Sequence, residues 1–338
     1  MNLKWLLVSF LFLSSCTLFQ RKDEAPVVEP GKVEHKKEIP PVLKNDNTDK
    51  PSPVIPDDDK PGTGLEGITD VQLPNTGKYP VEPTTSGLKK VAIILGPGGL
   101  RSFAHVGVLQ QLSKNKIVIT AIAGIEMGSL VASLYSRKAQ TYDVEWQMGK
   151  LKEENFFDKG LLTEDKPAPL QKLIPYLKST FEQAKVEDGK IPFSCLAFNL
   201  SKQQNIVMNR GMYFQMLPFC IAMNPLFQPF QSNIAATTEL KNLVDYLRSK
   251  GAQYVIYVDI LGNSSGKYYK NVENASNLSW NIINQSLQKQ IGLVDFVIKV
   301  PLEKFGLTEF NSRREIVQIG SEAAIKDINE ILKRTRNP

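Results

Sequence analysis

An α/β fold is predicted from three features of the sequence. "KKVAIIL", from Lys89 to Leu95, and the stretch from Ile117 to Ala123 are short apolar runs of the kind that form parallel strands buried on both faces. Each run ends in a glycine turn, "GPGGLR" from Gly96 and "GIEMG" from Gly124. Each turn then opens a helical pattern, so strand, turn and helix occur twice in succession, the grammar of an α/β domain.

The remaining elements follow in order. A helix from about Ser102 to Asn115 places Phe103, Val106 and Leu109 on one face, and a second runs from the Gly124 turn to about Lys138. Beyond a polar helical region, "IPFSCLAFNL" from Ile191 and "SKQQNIVMN" read as two strands around a Ser-Lys-Gln-Gln turn, followed by a helix near Met212 to Met223. Next come a helix from Leu243 closed by Gly251 as its C-cap, a strand from Tyr254 to Ile260, and an apolar strand from Asp295. The last helix starts at Ser312-Arg313-Arg314-Glu315, the pattern of a capping box in which Ser312 and Glu315 satisfy each other's backbone N–H groups. No internal repeat is visible.

The N-terminal quarter differs in kind. Lys4 precedes an apolar run from Trp5 to Leu13, too short to span a bilayer but the size of a signal peptide's hydrophobic region. It ends in Leu13-Ser14-Ser15-Cys16, which resembles the lipobox of bacterial lipoproteins and implies cleavage before Cys16 and acylation of its thiol. An ordinary secretory peptide with an incidental cysteine is the other reading. Thr17 stands where an inner-membrane retention aspartate is often found, which points to the outer membrane of a bacterial envelope. Residues 17–87 are rich in proline and charge and nearly free of aromatics, so they cannot bury enough apolar area to offset the entropy of ordering. Such a tether of about 70 residues has a root-mean-square span of about 45 Å. The chain thus divides into a signal peptide at 1–16, a tether at 17–87 and a folded domain at 88–338.

Of the total charge of +6, the tether is net acidic, which leaves the folded domain at about +9. That charge suits anionic headgroups, and equally a soluble basic surface. The basic residues are dispersed and the aromatics lie in apolar segments, which excludes a recognisable nucleic-acid module. "GPGG" lacks the downstream Lys-[ST] of a P-loop and the spacing of a dinucleotide fold. Apart from Cys16, the cysteines are Cys195 and Cys220, both in apolar segments without metal or redox spacing, and they read as core thiols. The histidines are His35, in the tether, and His105, in a helix; no metal or other cofactor is expected.

"GPGGLRSFAHVGVLQQL" from Gly96 resembles the glycine-rich oxyanion loop and first helix of the patatin-like phospholipases. The similarity continues through "IPFSCLAFNL", "NPLFQPF" from Asn224, "GAQYVIYVDI" and "DFVIKVPL…SRREIVQIGSEAA", in order, from Lys89 nearly to the end. The resemblance implies a three-layer sandwich with a mostly parallel central sheet. It also implies an acyl hydrolase in which a serine on a G-x-S-x-G elbow attacks the ester and an aspartate accepts its proton. Backbone N–H groups of the glycine loop would stabilise the oxyanion. On this sequence Gly98 and Gly99 fall at the oxyanion amides and Arg101 at the family's basic position, while Pro97 and Ser102 replace glycines.

Both catalytic positions depart from the family. In Gly124-Ile125-Glu126-Met127-Gly128 the elbow glycines remain, but Glu126 occupies the nucleophile's place. The nearest hydroxyl, Ser129, lies three residues into the helix. Counting back from the "GAQYVIYVDI" block puts Ala235 where the aspartate belongs, and no aspartate lies between Leu226 and Lys241. Asp259 matches a structural strand-end aspartate of the family. A helix N-terminus and a nearby arginine are expected to lower the Glu126 pKa. Its carboxylate is expected to take hydrogen bonds from Gly98 or Gly99 and a charge contact from Arg101, plugging the oxyanion hole. Three functions remain open: a pseudoenzyme that binds lipid, fatty acid or an envelope protein; a hydrolase using Glu126 or other unorthodox residues; and a structural lipoprotein of the periplasm.

Overall fold

The computed structural model describes residues 88–156, 167–231, 234–262 and 275–336, the last from 278 onward for side chains. Cys16, the signal peptide and the tether lie outside the described residues. Seven strands form one sheet: β1 (Val91–Leu95), β2 (Ile119–Gly124), β3 (Phe193–Asn199), β4 (Gln204–Met208), β5 (Ile234–Ala236), β6 (Tyr254–Asp259) and β7 (Phe296–Lys299). Their order is β4-β3-β2-β1-β6-β7, with β5 also paired to β3. The pairs β3–β2, β2–β1, β1–β6 and β6–β7 are parallel, whereas β4 and β5 run antiparallel to β3. β1 and β6 are buried at every position, which is why their sequences are continuous apolar runs rather than alternating ones.

Successive strands step from β1 through β2 to β3, and then the chain returns to β6 on the other side of β1. In an open sheet of this kind the crevice at such a reversal, at the carboxyl ends of the strands, is where ligands bind. The right-handed rule for parallel crossovers assigns α1 (Ala104–Lys114) and α2 (Met127–Lys138) to one face and α6 (Leu240–Ser249) and α7 (Ala275–Gln290) to the other. The predicted α/β class and mostly parallel sheet are thus present, with helices on both faces.

α1 is buried well beyond the single stripe of Phe103, Val106 and Leu109, because α8 (Arg313–Arg336) covers it. The two helices approach through Gly107 and Gly320, where a Cβ would collide with the backbone of the partner helix. α3 (Thr141–Gly149) packs against α1 and α2, and α5 (Tyr213–Ile221) packs against α2, β3 and α4 (Ile174–Phe181).

Four local expectations are corrected. The first helix is preceded by a 3-10 turn over Gly99–Phe103, and α6 begins at Leu240 rather than Leu243. The short β5, which contains Ala235, carries too few residues to show a period in sequence. The capping box does not form: the Ser312 hydroxyl donates to the Glu309 carboxylate, and Glu315 is paired with Lys304. Tertiary neighbours outcompeted a local motif there. Cys195 and Cys220 are not free core thiols; they form a disulfide that joins β3 to α5, with Cα atoms 5.9 Å apart. Their 25-residue separation gave no hint of pairing, because the strand and helix that carry them meet only in the folded chain.

Candidate active site

β2 ends at Gly124 and α2 begins at Met127, so the chain reverses direction over two residues. The turn is closed by Gly128 N donating to Ile125 O at 2.9 Å and by Ile125 N donating to Leu95 O at 3.0 Å. Glu126 at its apex has φ 53° and ψ −129°, a region that residues with a Cβ rarely occupy and that costs about 1–3 kcal/mol. The flanking glycines are required by close approach. A Cβ on Gly128 would run into the carbonyl oxygens of Leu95 and Gly96, and one on Gly124 into the first turn of α2. This is the geometry of a nucleophile elbow, a strained strand-to-helix turn that holds its apex residue out at the carboxyl end of a parallel sheet.

The loop after β1 faces this apex. Glu126 Oε2 accepts from Gly98 N at 3.0 Å and from Gly99 N at 2.9 Å, so both expected amides converge on one carboxylate oxygen. Gly99 adopts φ 55°, and the next amide, Leu100 N, donates to Leu307 O at 2.7 Å. The side chain of Glu126 is fully buried, and its Oε1 has no hydrogen-bond partner among the described residues.

Burial corrects the expected pKa. Loss of solvation opposes the charged form more than the amides of Gly98, Met127 and Gly99 favour it, and the carboxyl is pushed up to about 7 rather than down. The Arg101 guanidinium is fully buried and donates from Nε (3.1 Å) and Nη2 (2.6 Å) to Phe305 O and from Nη1 to Leu261 O at 2.9 Å. Through these bonds Arg101 ties the glycine loop to two distant segments of the chain. The residues over 305–307 went unnoticed in the sequence because they act through backbone carbonyls, which leave no side-chain signature.

His105 also acts on the loop. Its Nε2 donates to Gly96 O at 2.9 Å, and burial lowers its pKa to about 4, so the ring is neutral at physiological pH. Ser129 sits on α2, past the apex and buried, with its hydroxyl unpartnered among the described residues. Ala235 lies on β5 opposite Phe198 of β3, and a methyl group there can accept no proton. Asp259 closes the end of β6: its Oδ1 accepts from Leu261 N at 3.0 Å and its Oδ2 from Gln288 Nε2 at 2.8 Å. Among the described residues no cluster of His, Cys, Asp and Glu is arranged to hold a metal ion.

Residues 93–256, which contain the glycine loop, the elbow, Ala235 and the first half of β6, match the family described as patatin-like phospholipase. The match covers just under half of the chain and marks a similarity to that family. Over 295 residues the chain is 21% identical to Lysophospholipase NTE1 of Pyricularia oryzae, covering 72% of this chain and 19% of that protein. It is 23% identical over 294 residues to the patatin-like phospholipase domain-containing protein ZK370.4 of Caenorhabditis elegans, covering 73% of this chain and 21% of that protein. The chain thus spans about a fifth of the length of these relatives. Among solved structures, VipD from Legionella pneumophila aligns with a TM-score of 0.46 and 11% identity, over 74% of this chain and 69% of that one. In this chain the elbow and the glycine loop meet through Glu126.

Proposed function

We propose that this chain is a membrane-tethered, catalytically silent relative of the patatin-like lipid acyl-hydrolases that binds a lipid, a fatty acid or an envelope protein without turnover. The observation that carries the reading is the carboxylate oxygen of Glu126 on the two amides of Gly98 and Gly99. Acyl transfer needs those donors free for the oxyanion, a hydroxyl at the apex, and a base within reach of its proton. Here the apex has no hydroxyl, Ala235 stands where the base belongs, and the donors are spent on the protein's own side chain. The carboxylate resembles the charged oxygen of a tetrahedral intermediate, so the site holds an internal mimic of the species it would otherwise stabilise. The lipobox-like Leu13 to Cys16 supports anchoring in a bacterial envelope, with the outer membrane favoured by Thr17. The buried disulfide is in keeping with a chain that folds outside a reducing cytoplasm.

One observation favours a second reading. A carboxyl pushed up to about 7 is better matched to general-base work at neutral pH than an ordinary glutamate. Full burial and occupation of the amides keep it from a substrate, which is why we rank this reading second. Hydrolysis of short-chain esters and phospholipids by the purified chain separates the two. The unmodified protein is expected to show no turnover above background. Glu126→Ser together with Ala235→Asp is expected to gain esterase activity, while Glu126→Ser alone stays slow for want of a base. Turnover by the unmodified protein that disappears in Glu126→Gln overturns the proposal. Lipid that co-purifies with the chain and is displaced by added fatty acid distinguishes a binding protein from a purely structural lipoprotein.

A further inference from the structure

α3 carries a feature that neither the core nor the elbow uses. Tyr142 and Trp146 lie one helical turn apart on its outer face and are 66% and 65% exposed, the two aromatics among the strongly exposed large apolar side chains of the described residues. With Glu145, Gly149 and Lys150 they line a shallow groove, and Lys150 Nζ stands 5.2 Å from the centre of the Trp146 ring. Exposed aromatics of this size cost solvation in water and are at home at a membrane–water interface, where an indole or phenol ring meets the acyl boundary and its polar edge meets the headgroups. A lysine beside them can lay its stem along the rings and extend its ammonium to a phosphate.

The location fits such a role. Just beyond α3, Leu151 O accepts from Arg313 Nη1 at 3.2 Å, and the same guanidinium packs over Phe103, in the turn that follows the glycine loop. The C-terminal end of α3 therefore lies toward the elbow, while Lys138 at the far end of α2 pairs with Asp143 and Gln110 of α1 donates to Glu145, so the patch runs along the flank of the domain. The folded domain carries about +9, and 87 residues that precede the described part include the anchor expected at Cys16, which would hold a bilayer within reach.

We infer that Tyr142, Trp146 and Lys150 form a docking patch for the surface of an anionic phospholipid bilayer, laying the α3 flank of the domain against the membrane. The inference deepens the proposed membrane tethering, and the test separates the two. The full chain carrying Trp5→Phe retains Trp146 and Trp280 as its indoles, and Trp280 is buried. Vesicles of phosphatidylcholine and phosphatidylglycerol with bromine on the acyl chains are expected to blue-shift and quench Trp146. Adding Trp146→Phe should remove the signal, and Lys150→Gln should weaken vesicle binding of a Cys16→Ser chain about fivefold. Quenching of Trp146 in the Cys16→Ser chain upholds the patch even if acylation at Cys16 is never found. An acylated chain that sediments with vesicles while Trp146 stays unquenched sinks the patch and leaves the tether standing. A chain that neither sediments nor shifts its emission overturns both.

Discussion

Replacing Glu126 by glutamine should change how stability depends on pH. In the folded chain the Glu126 carboxyl is raised from 4.5 to about 7, first by burial and against the pull of three amides. A raised acid holds its proton more tightly in the folded state than in the unfolded one. Its contribution is therefore intact below about 4.5 and declines as pH rises, until the loss is complete above about 7. The shift corresponds to about 3 kcal/mol, a large part of the stability of an ordinary domain. Glutamine keeps a carbonyl oxygen for Gly98 N and Gly99 N but cannot ionise. Its buried amide group adds a cost of about 1–3 kcal/mol that does not vary with pH. Urea unfolding at pH 5, 7 and 9 gives the comparison, and shifts at His105 and Asp259 are common to both proteins and cancel in the difference. The unfolding free energy of Glu126→Gln relative to the parent should rise by about 3 kcal/mol between pH 5 and pH 9. A difference that stays level across that range would mean that Glu126 titrates normally, and the picture of a dry carboxyl seated in the oxyanion hole would fall.

Gly128→Ala should destabilise the domain by more than 3 kcal/mol, since its methyl would meet the carbonyls of Leu95 and Gly96 with no flexible side chain to yield; thermal unfolding of the variant reads this directly. Arg101→Met should cost about 3 kcal/mol, because the carbonyls of Phe305 and Leu261 each lose a charged donor in a buried setting, and Arg101→Lys should recover only part of it. Breaking the Cys195–Cys220 bond with reductant in urea, or making both residues serine, should lower the stability by about 3 kcal/mol, visible as a lower denaturation midpoint.

The sheet was legible for a physical reason. Strands such as Val91–Leu95 and Tyr254–Asp259 are buried on both faces, so their composition is set by burial alone and shows as an unbroken apolar run. The elbow was legible because its two glycines are dictated by backbone contacts within a few residues and the adjoining strand. β5 escaped notice because three residues carry no periodicity, and the capping box at Ser312 failed because Glu309 and Lys304 offered stronger charged partners. The carbonyl acceptors of Arg101 were not legible, since they come from segments 160 and 204 residues away and leave no side-chain pattern.

By itself the sequence determined the class of fold, the place of the glycine-flanked turn, and the residue types Glu126 and Ala235 that the proposed reading rests on, because these are matters of residue type and local spacing. Only the tertiary structure decided that Glu126 turns inward onto Gly98 and Gly99, that burial outweighs those amides and raises its carboxyl, and that Cys195 reaches Cys220. Solvation and long-range contact depend on what the rest of the chain packs around a group, and no local pattern encodes that.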